Sequence, residues 1–177
     1  MLEWRAQKFG HDPLASMRRN RHSGGALLHE QSIGKLRLSI DPMAEVSGSW
    51  TSPIGRVVEV ELKLSSPPRW IAVHIDMPEV NFAQFKWVGF ALRHGASNLM
   101  PYRAAIRSYQ PRGAAFHDLF FPRELIANAA SADHFDLIDP SQKPDLPANA
   151  TRRELVLFLS AISDVRWSLH DLRFVYL

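Results

Sequence analysis

Through much of this chain apolar and polar residues change places one by one. Leu36, Leu38 and Ile40 alternate with Lys35, Arg37 and Ser39, and Val58, Val60, Leu62 and Leu64 with Val57, Glu59, Glu61 and Lys63. Ile71, Val73 and Ile75 alternate with Trp70, Ala72, His74 and Asp76, and Val88, Phe90 and Leu92 with Trp87, Gly89, Ala91 and Arg93. A period of two sorts successive side chains onto opposite faces of an extended strand, and it does not fit the 3.6-residue repeat of an amphipathic helix. Turn-forming clusters punctuate the runs: Asp41-Pro42, Ser52-Pro53-Ile54-Gly55, Ser65-Ser66-Pro67-Pro68, Met77-Pro78, His94-Gly95 and Pro111-Arg112-Gly113.

Further strands are predicted over 101–109, 115–121, 153–159 and 166–176. Residues 122–130 open on Pro122-Arg123-Glu124 and predict a short helical turn with proline at its start. Residues 139–151 hold Pro140, Pro144 and Pro147 and read as a long loop. Leu155, Leu159 and Ile162 could share a helical face, but the unbroken apolar run Leu155–Leu159 favours a strand covered on both sides. Many short strands without long helices predict an all-β fold: an antiparallel two-sheet β-sandwich of jelly-roll type. Residues 1–25 read as an irregular N-terminal segment ending in a Ser23-Gly24-Gly25 joint, and 26–177 as a single β-sandwich domain.

The chain has 177 residues and no cysteine, which excludes disulfides, thiolate metal sites and a cysteine nucleophile. The formal net charge of +3 resides in the N-terminal segment, where Arg5, Lys8, Arg18, Arg19 and Arg21 outnumber Glu3 and Asp12. The balanced remainder lacks the basic field of a nucleic-acid binder. The run Arg18-Arg19-Asn20-Arg21-His22 reads as a solvated surface segment. No apolar stretch is long enough to span a membrane, and Glu3, Arg5, Gln7 and Lys8 interrupt any leader-like segment. These absences predict a cytoplasmic protein without a membrane partner.

Two stretches carry a resemblance. One is Arg69–Asp76 followed by Phe85–Arg93, and the other is Trp167–Val175. Their organisation resembles the galactose-binding-like and carbohydrate-binding-module jelly rolls. That resemblance implies ligand binding by a sheet face or by loops, without catalysis, and a last strand returning beside the first. No family binding residue can be placed here by motif, and no calcium-ligand loop is recognisable.

Strand parity locates a candidate face. With Ile71, Val73 and Ile75 inward, Trp70, His74 and Asp76 point the other way. The same parity sets Trp87 and Arg93 opposite Val88, Phe90 and Leu92, and Arg103, Arg107 and Tyr109 opposite Tyr102, Ala104 and Ile106. Flat aromatic rings pack on the apolar face of a pyranose, and guanidinium groups bridge its hydroxyls. The predicted partner is therefore a saccharide, or an acidic glycan given three arginines. The structural alternative is a protein partner or homo-oligomer using the same face, since Trp, Tyr and Arg are common interface anchors. In another bland reading the N-terminal segment, with Trp4, Phe9 and Leu14, lies across the face and Arg93 pairs with Asp76. Trp50 and Trp167 read as core or edge fillers.

Catalytic motifs are missing. There is no Gly-x-Ser-x-Gly elbow, phosphate loop or His-Glu-x-x-His helix. No His-x-His pair exists, and His117-Asp118 and His170-Asp171 are strand neighbours that face opposite sides. Asp133, His134 and Asp136 read as a solvated loop rather than a metal site. Glu59 and Glu61 share a strand face, the minimum for a glycosidase pair, but Lys63 follows on that face and no apolar pocket is evident. The chain is therefore read as a non-enzyme without cofactor or metal, with a glycan-active enzyme as the weaker option.

Overall fold

The computed structural model describes residues 11–19, 22–110, 115–147 and 150–177. Trp4, Phe9, Arg5, Lys8, Arg21 and the Pro111–Gly113 turn lie outside the described residues.

Among the described residues, twelve antiparallel strands form two six-stranded sheets packed face to face. Sheet A has the spatial order β1 (His22–Ala26), β4 (Val46–Ser52), β5 (Val58–Leu64), β12 (Val165–Tyr176), β7 (Val88–Ala96), β10 (Ala132–Ile138). Sheet B has the order β2 (Glu30–Ile33), β3 (Leu36–Ile40), β6 (Ile71–Asp76), β11 (Arg152–Leu159), β8 (Met100–Tyr109), β9 (Phe116–Ala127). The jelly-roll sandwich expected from the alternation is the fold observed. The apolar member of each alternating pair enters one core: Val58, Val60 and Leu62 from β5, Ile71, Val73 and Ile75 from β6, Val88, Phe90 and Leu92 from β7. The run 153–159 is a strand, and Trp167 is fully buried.

Several local expectations are corrected. Residues 122–127 continue β9 and do not form a helical turn. Phe121, Pro122 and Arg123 bulge opposite Ala104, and a bulge on an edge strand accommodates a proline that cannot donate to the ladder. Asp133, His134 and Asp136 belong to strand β10, so the first faces away from the other two. Gly24 and Gly25 pair within β1 beside Trp50 rather than serving as a joint. A Cβ at Gly24 would lie 2.6 Å from the Trp50 carbonyl oxygen, so this close approach requires glycine.

The described part of the N-terminal segment is packed against the body. Met17 of the short helix α1 (Ala15–Arg19) and Leu14 just before it are buried. His11 exchanges two backbone hydrogen bonds with Phe174, of 3.0 and 2.9 Å, on the edge of β12. Arg18 is ion-paired to both Asp12 and Asp171.

One polar pair crosses the core. The Tyr102 hydroxyl of sheet B lies 2.7 Å from Nδ1 of His94 in sheet A. Burial, with the nearby charges of His134 and His170, pushes the His94 imidazole down to about 4 from its ordinary value of 6.5. Folded His94 therefore stays neutral where the unfolded chain takes up a proton. Its contribution to stability is full above pH 6.5 and is lost as the pH falls toward 4. Melting midpoints should decline across that window. His94→Gln, which does not titrate, should flatten the decline; an unchanged slope would contradict this assignment.

Candidate functional site

The eight residues singled out by parity do not share one face. Strands β6 and β8 flank β11 in sheet B, whereas β7 lies in sheet A. Trp70, His74, Asp76, Arg103, Arg107 and Tyr109 therefore belong to the sheet B face. Trp87 and Arg93 belong to the outer face of sheet A. The successive strands β6, β7 and β8 alternate between sheets, so these sequence neighbours are not spatial neighbours. Both indoles are partly open, Trp70 at 37% and Trp87 at 40% exposure. Asp76 pairs with Arg152, and Arg93 lies 3.9 Å from Asp133; the two do not meet each other.

His74 does not face water as its parity implied; it is buried. Register explains this: β3 sets Arg37 opposite His74, and β11 sets Glu154 opposite Asp76, one step away. His74 Nε2 lies 2.8 Å from the Ser39 hydroxyl, and His74 Nδ1 lies 3.0 Å from Glu154 Oε2. The same carboxylate oxygen accepts a 2.7 Å hydrogen bond from the Tyr109 hydroxyl. Arg152 Nη2 donates to Glu154 Oε1 at 2.5 Å, and Arg37 Nη2 approaches at 3.3 Å. Glu154, 1% exposed, is thus the hub of four side chains on β3, β6, β8 and β11. Burial alone would raise its pKa. The hydrogen bonds from His74 and Tyr109 and the charges of His74 and Arg152 prevail and hold it down to about 2.

Beside this hub lies a ladder of rings and guanidinium groups. Arg107 makes a bidentate pair with Asp118, both bonds 2.7 Å, and its guanidinium lies 3.8 Å from the Phe116 ring centroid. Arg103 lies 4.2 Å over Phe120, which packs at 5.5 Å from Phe158. Phe116 remains 50% exposed and Phe120 36%. Both project from β9 on one face, four residues and about 13 Å apart at the usual rise. At the Asp76 end the platform meets a cavity of about 520 Å³ lined by Glu79, Asn81, Thr151 and Arg152 among others.

The guanidinium groups are matched from within. Arg37, Arg103, Arg107 and Arg152 share the face with Glu30, Asp76, Asp118, Glu124 and Glu154. The surface is rich in hydrogen-bonding groups without a positive excess, which removes the electrostatic reason to expect an acidic glycan. The sequence reading missed Glu154, Arg152, Arg37, Phe116, Phe120 and Phe158. Glu154 was visible as the one acid heading an apolar run, but that run hides strand parity. Phe116 and Phe120 share one parity, but Leu119 and Phe121 are apolar at the other, so the outward side of that strand was not legible.

Glu59 and Glu61 project from the opposite sheet, Glu59 paired with Arg56 and Glu61 lying 3.9 Å from Arg166. Among the described residues, no group of three or more His, Asp or Glu side chains is placed to hold a metal ion.

No protein-family profile and no curated sequence matches the chain. Solved structures do share its fold. The N-terminal cellulose-binding domain of Cellulomonas fimi β-1,4-glucanase C superposes with a TM-score of 0.55 at 12% identity, covering 94% of this chain and 98% of that one. A family 30 carbohydrate-binding module of a Clostridium thermocellum cellulosomal cellulase gives 0.54 at 8% identity, covering 90% and 94%. A family 11 carbohydrate-binding module of Clostridium thermocellum, in complex with a β-1,3-1,4-mixed-linked tetrasaccharide, gives 0.53 at 11% identity, covering 86% and 95%. The chain has the β-sandwich architecture of carbohydrate-binding modules, at low sequence identity.

Proposed function

We propose that this chain is a non-catalytic carbohydrate-binding module that holds a neutral saccharide on the outer face of sheet B, across β6, β11, β8 and β9. The observation that carries the reading is the pair of half-open rings, Phe116 and Phe120, set beside guanidinium and carboxylate groups already fixed by one another. The rings offer apolar surface to the C–H faces of sugar units, and the fixed polar groups exchange hydrogen bonds with hydroxyls. Little side-chain freedom remains to be lost on binding. The likeness to modules named for cellulose and for a mixed-linked tetrasaccharide supports this choice of ligand class.

The test is affinity electrophoresis in gels containing mixed-linkage β-glucan or xylan. Each ring contributes about 1 kcal/mol of stacking, so Phe116→Ala with Phe120→Ala should weaken binding on the order of tenfold or more. The variant should still unfold cooperatively with a modestly lower melting temperature, because both rings lie on the outer face and outside the core. Unaltered retention would overturn the proposed face. Failure to bind glycans, together with self-association lost in the same variant, would favour the protein-interface reading.

Charge matching gives a second expectation. Retention should barely change between low salt and about 1 M salt, where the screening length falls to about 3 Å. A steep loss with salt would mean that unpaired cations bind an anionic glycan.

A further inference from the structure

The outer face of sheet A carries a second hollow, unlike the platform on sheet B. Register places Ala91 of β7 between Phe135 of β10 and Arg173 of β12. One step along, Arg93 lies between Asp133 and Asp171. Together these six residues line most of a cavity of about 370 Å³. Ala91 forms a low floor, and Phe135, 48% exposed, stands at its side. Trp87, immediately before β7, has the same parity, about 13 Å from Ala91 at the usual rise. Between them is Gly89, where a Cβ would lie 1.9 Å from the Asp136 carbonyl oxygen. Position 89 can carry no side chain while β10 stays paired, which leaves a gap between Leu137 and Val175 on the flanking strands.

The polar groups are balanced here too. Arg93 stands 3.9 Å from Asp133, and Arg173 Nε donates to Asp171 at 3.3 Å.

We infer that this hollow is a second saccharide site, on the sheet opposite the first, seating one neutral sugar unit against Phe135 over Ala91 with the glycan continuing toward Trp87. The inference rests on reading the chain as a glycan binder and extends it: the module is bivalent, with its two sites back to back across the sandwich. One molecule can then hold two polysaccharide strands, and the second contact on a shared polymer benefits from a high local concentration.

The experiment uses soluble mixed-linkage β-1,3-1,4-glucan in native affinity gels, with melting curves as the fold control. Four proteins are compared: the unaltered chain, Phe116→Ala with Phe120→Ala, Trp87→Ala with Phe135→Ala, and all four substitutions together. Each pair should weaken retention about tenfold, and only the fourfold variant should migrate as if no glucan were present. Complete loss in the Phe116/Phe120 variant would overturn the second site and leave the first standing. Complete loss in the Trp87/Phe135 variant, with no effect at Phe116/Phe120, would overturn the sheet B reading and retain this one. No retention of the unaltered protein on this glucan or on xylan would overturn both.

Discussion

Replacing Glu154 with alanine is expected to lower the free energy of unfolding by about 3–5 kcal/mol, the usual result of removing one member of a buried ionic network. Arg37 and Arg152 are partly in water and can resolvate. His74 cannot, because it is buried against Ser39 and the vacated position. In a chain of this length that loss corresponds to a drop in melting temperature on the order of 10 °C. Chemical denaturation checks it, and a change below about 1 kcal/mol would show that water replaces the carboxylate at little cost. The same group sets an acid limit. Its carboxyl stays ionised in the fold down to about pH 2, while the unfolded chain protonates near 4.5. The stabilisation is therefore full above pH 4.5 and disappears as the pH falls toward 2. Glu154→Gln should lack that part of the acid slope.

Trp167→Ala is expected to cost about 3–5 kcal/mol as well, by a different route. The indole is fully buried on β12, edge-on to Tyr102 of the other sheet with centroids 6.3 Å apart. Truncation leaves a void between two sheets that meet over a broad, well-packed area, so little collapse is available. Trp167→Phe should recover most of the loss, because a smaller ring refills the gap. A cost equal to that of alanine would mean that the indole's particular shape, rather than its volume, is needed. Both variants alter residues away from the proposed glycan contacts at Phe116, Phe120 and Phe135. Glycan affinity measured where they remain folded should stay near that of the unaltered protein for Trp167→Phe.

The alternation of Val58–Leu64, Ile71–Asp76 and Val88–Leu92 made the sandwich legible, because one buried face imposes period two on every strand it touches. The same rule located Arg103, Arg107, Tyr109 and Asp76 on the outward side of sheet B. It could not tell that β7 departs to the other sheet, since parity describes a strand's own faces and is silent on its neighbours. It also could not foresee that His74 would be covered. That depends on Arg37 and Glu154, brought beside it from 37 residues upstream and 80 residues downstream by cross-strand pairing. Strand β10 escaped notice because Asp133, His134 and Asp136 look like loop chemistry, while its alternation is carried by few apolar residues. The Phe116–Phe120 pair escaped because Leu119 and Phe121 are apolar at the other parity, so the predicted strand 115–121 did not reveal which side faces outward.

The contact between His11 and Phe174 has a consequence for handling the protein. Past Leu169, where Val57 makes the last bond from the β5 side, the outer rim of β12 relies on what residues 11–19 bring to it. A version trimmed to begin after Arg19 would bare open amide and carbonyl groups there and empty the places of Leu14 and Met17. Such a rim invites a second molecule to dock strand to strand, so trimming should yield clumping long before it alters sugar affinity. What those nine residues provide is a cover for that rim.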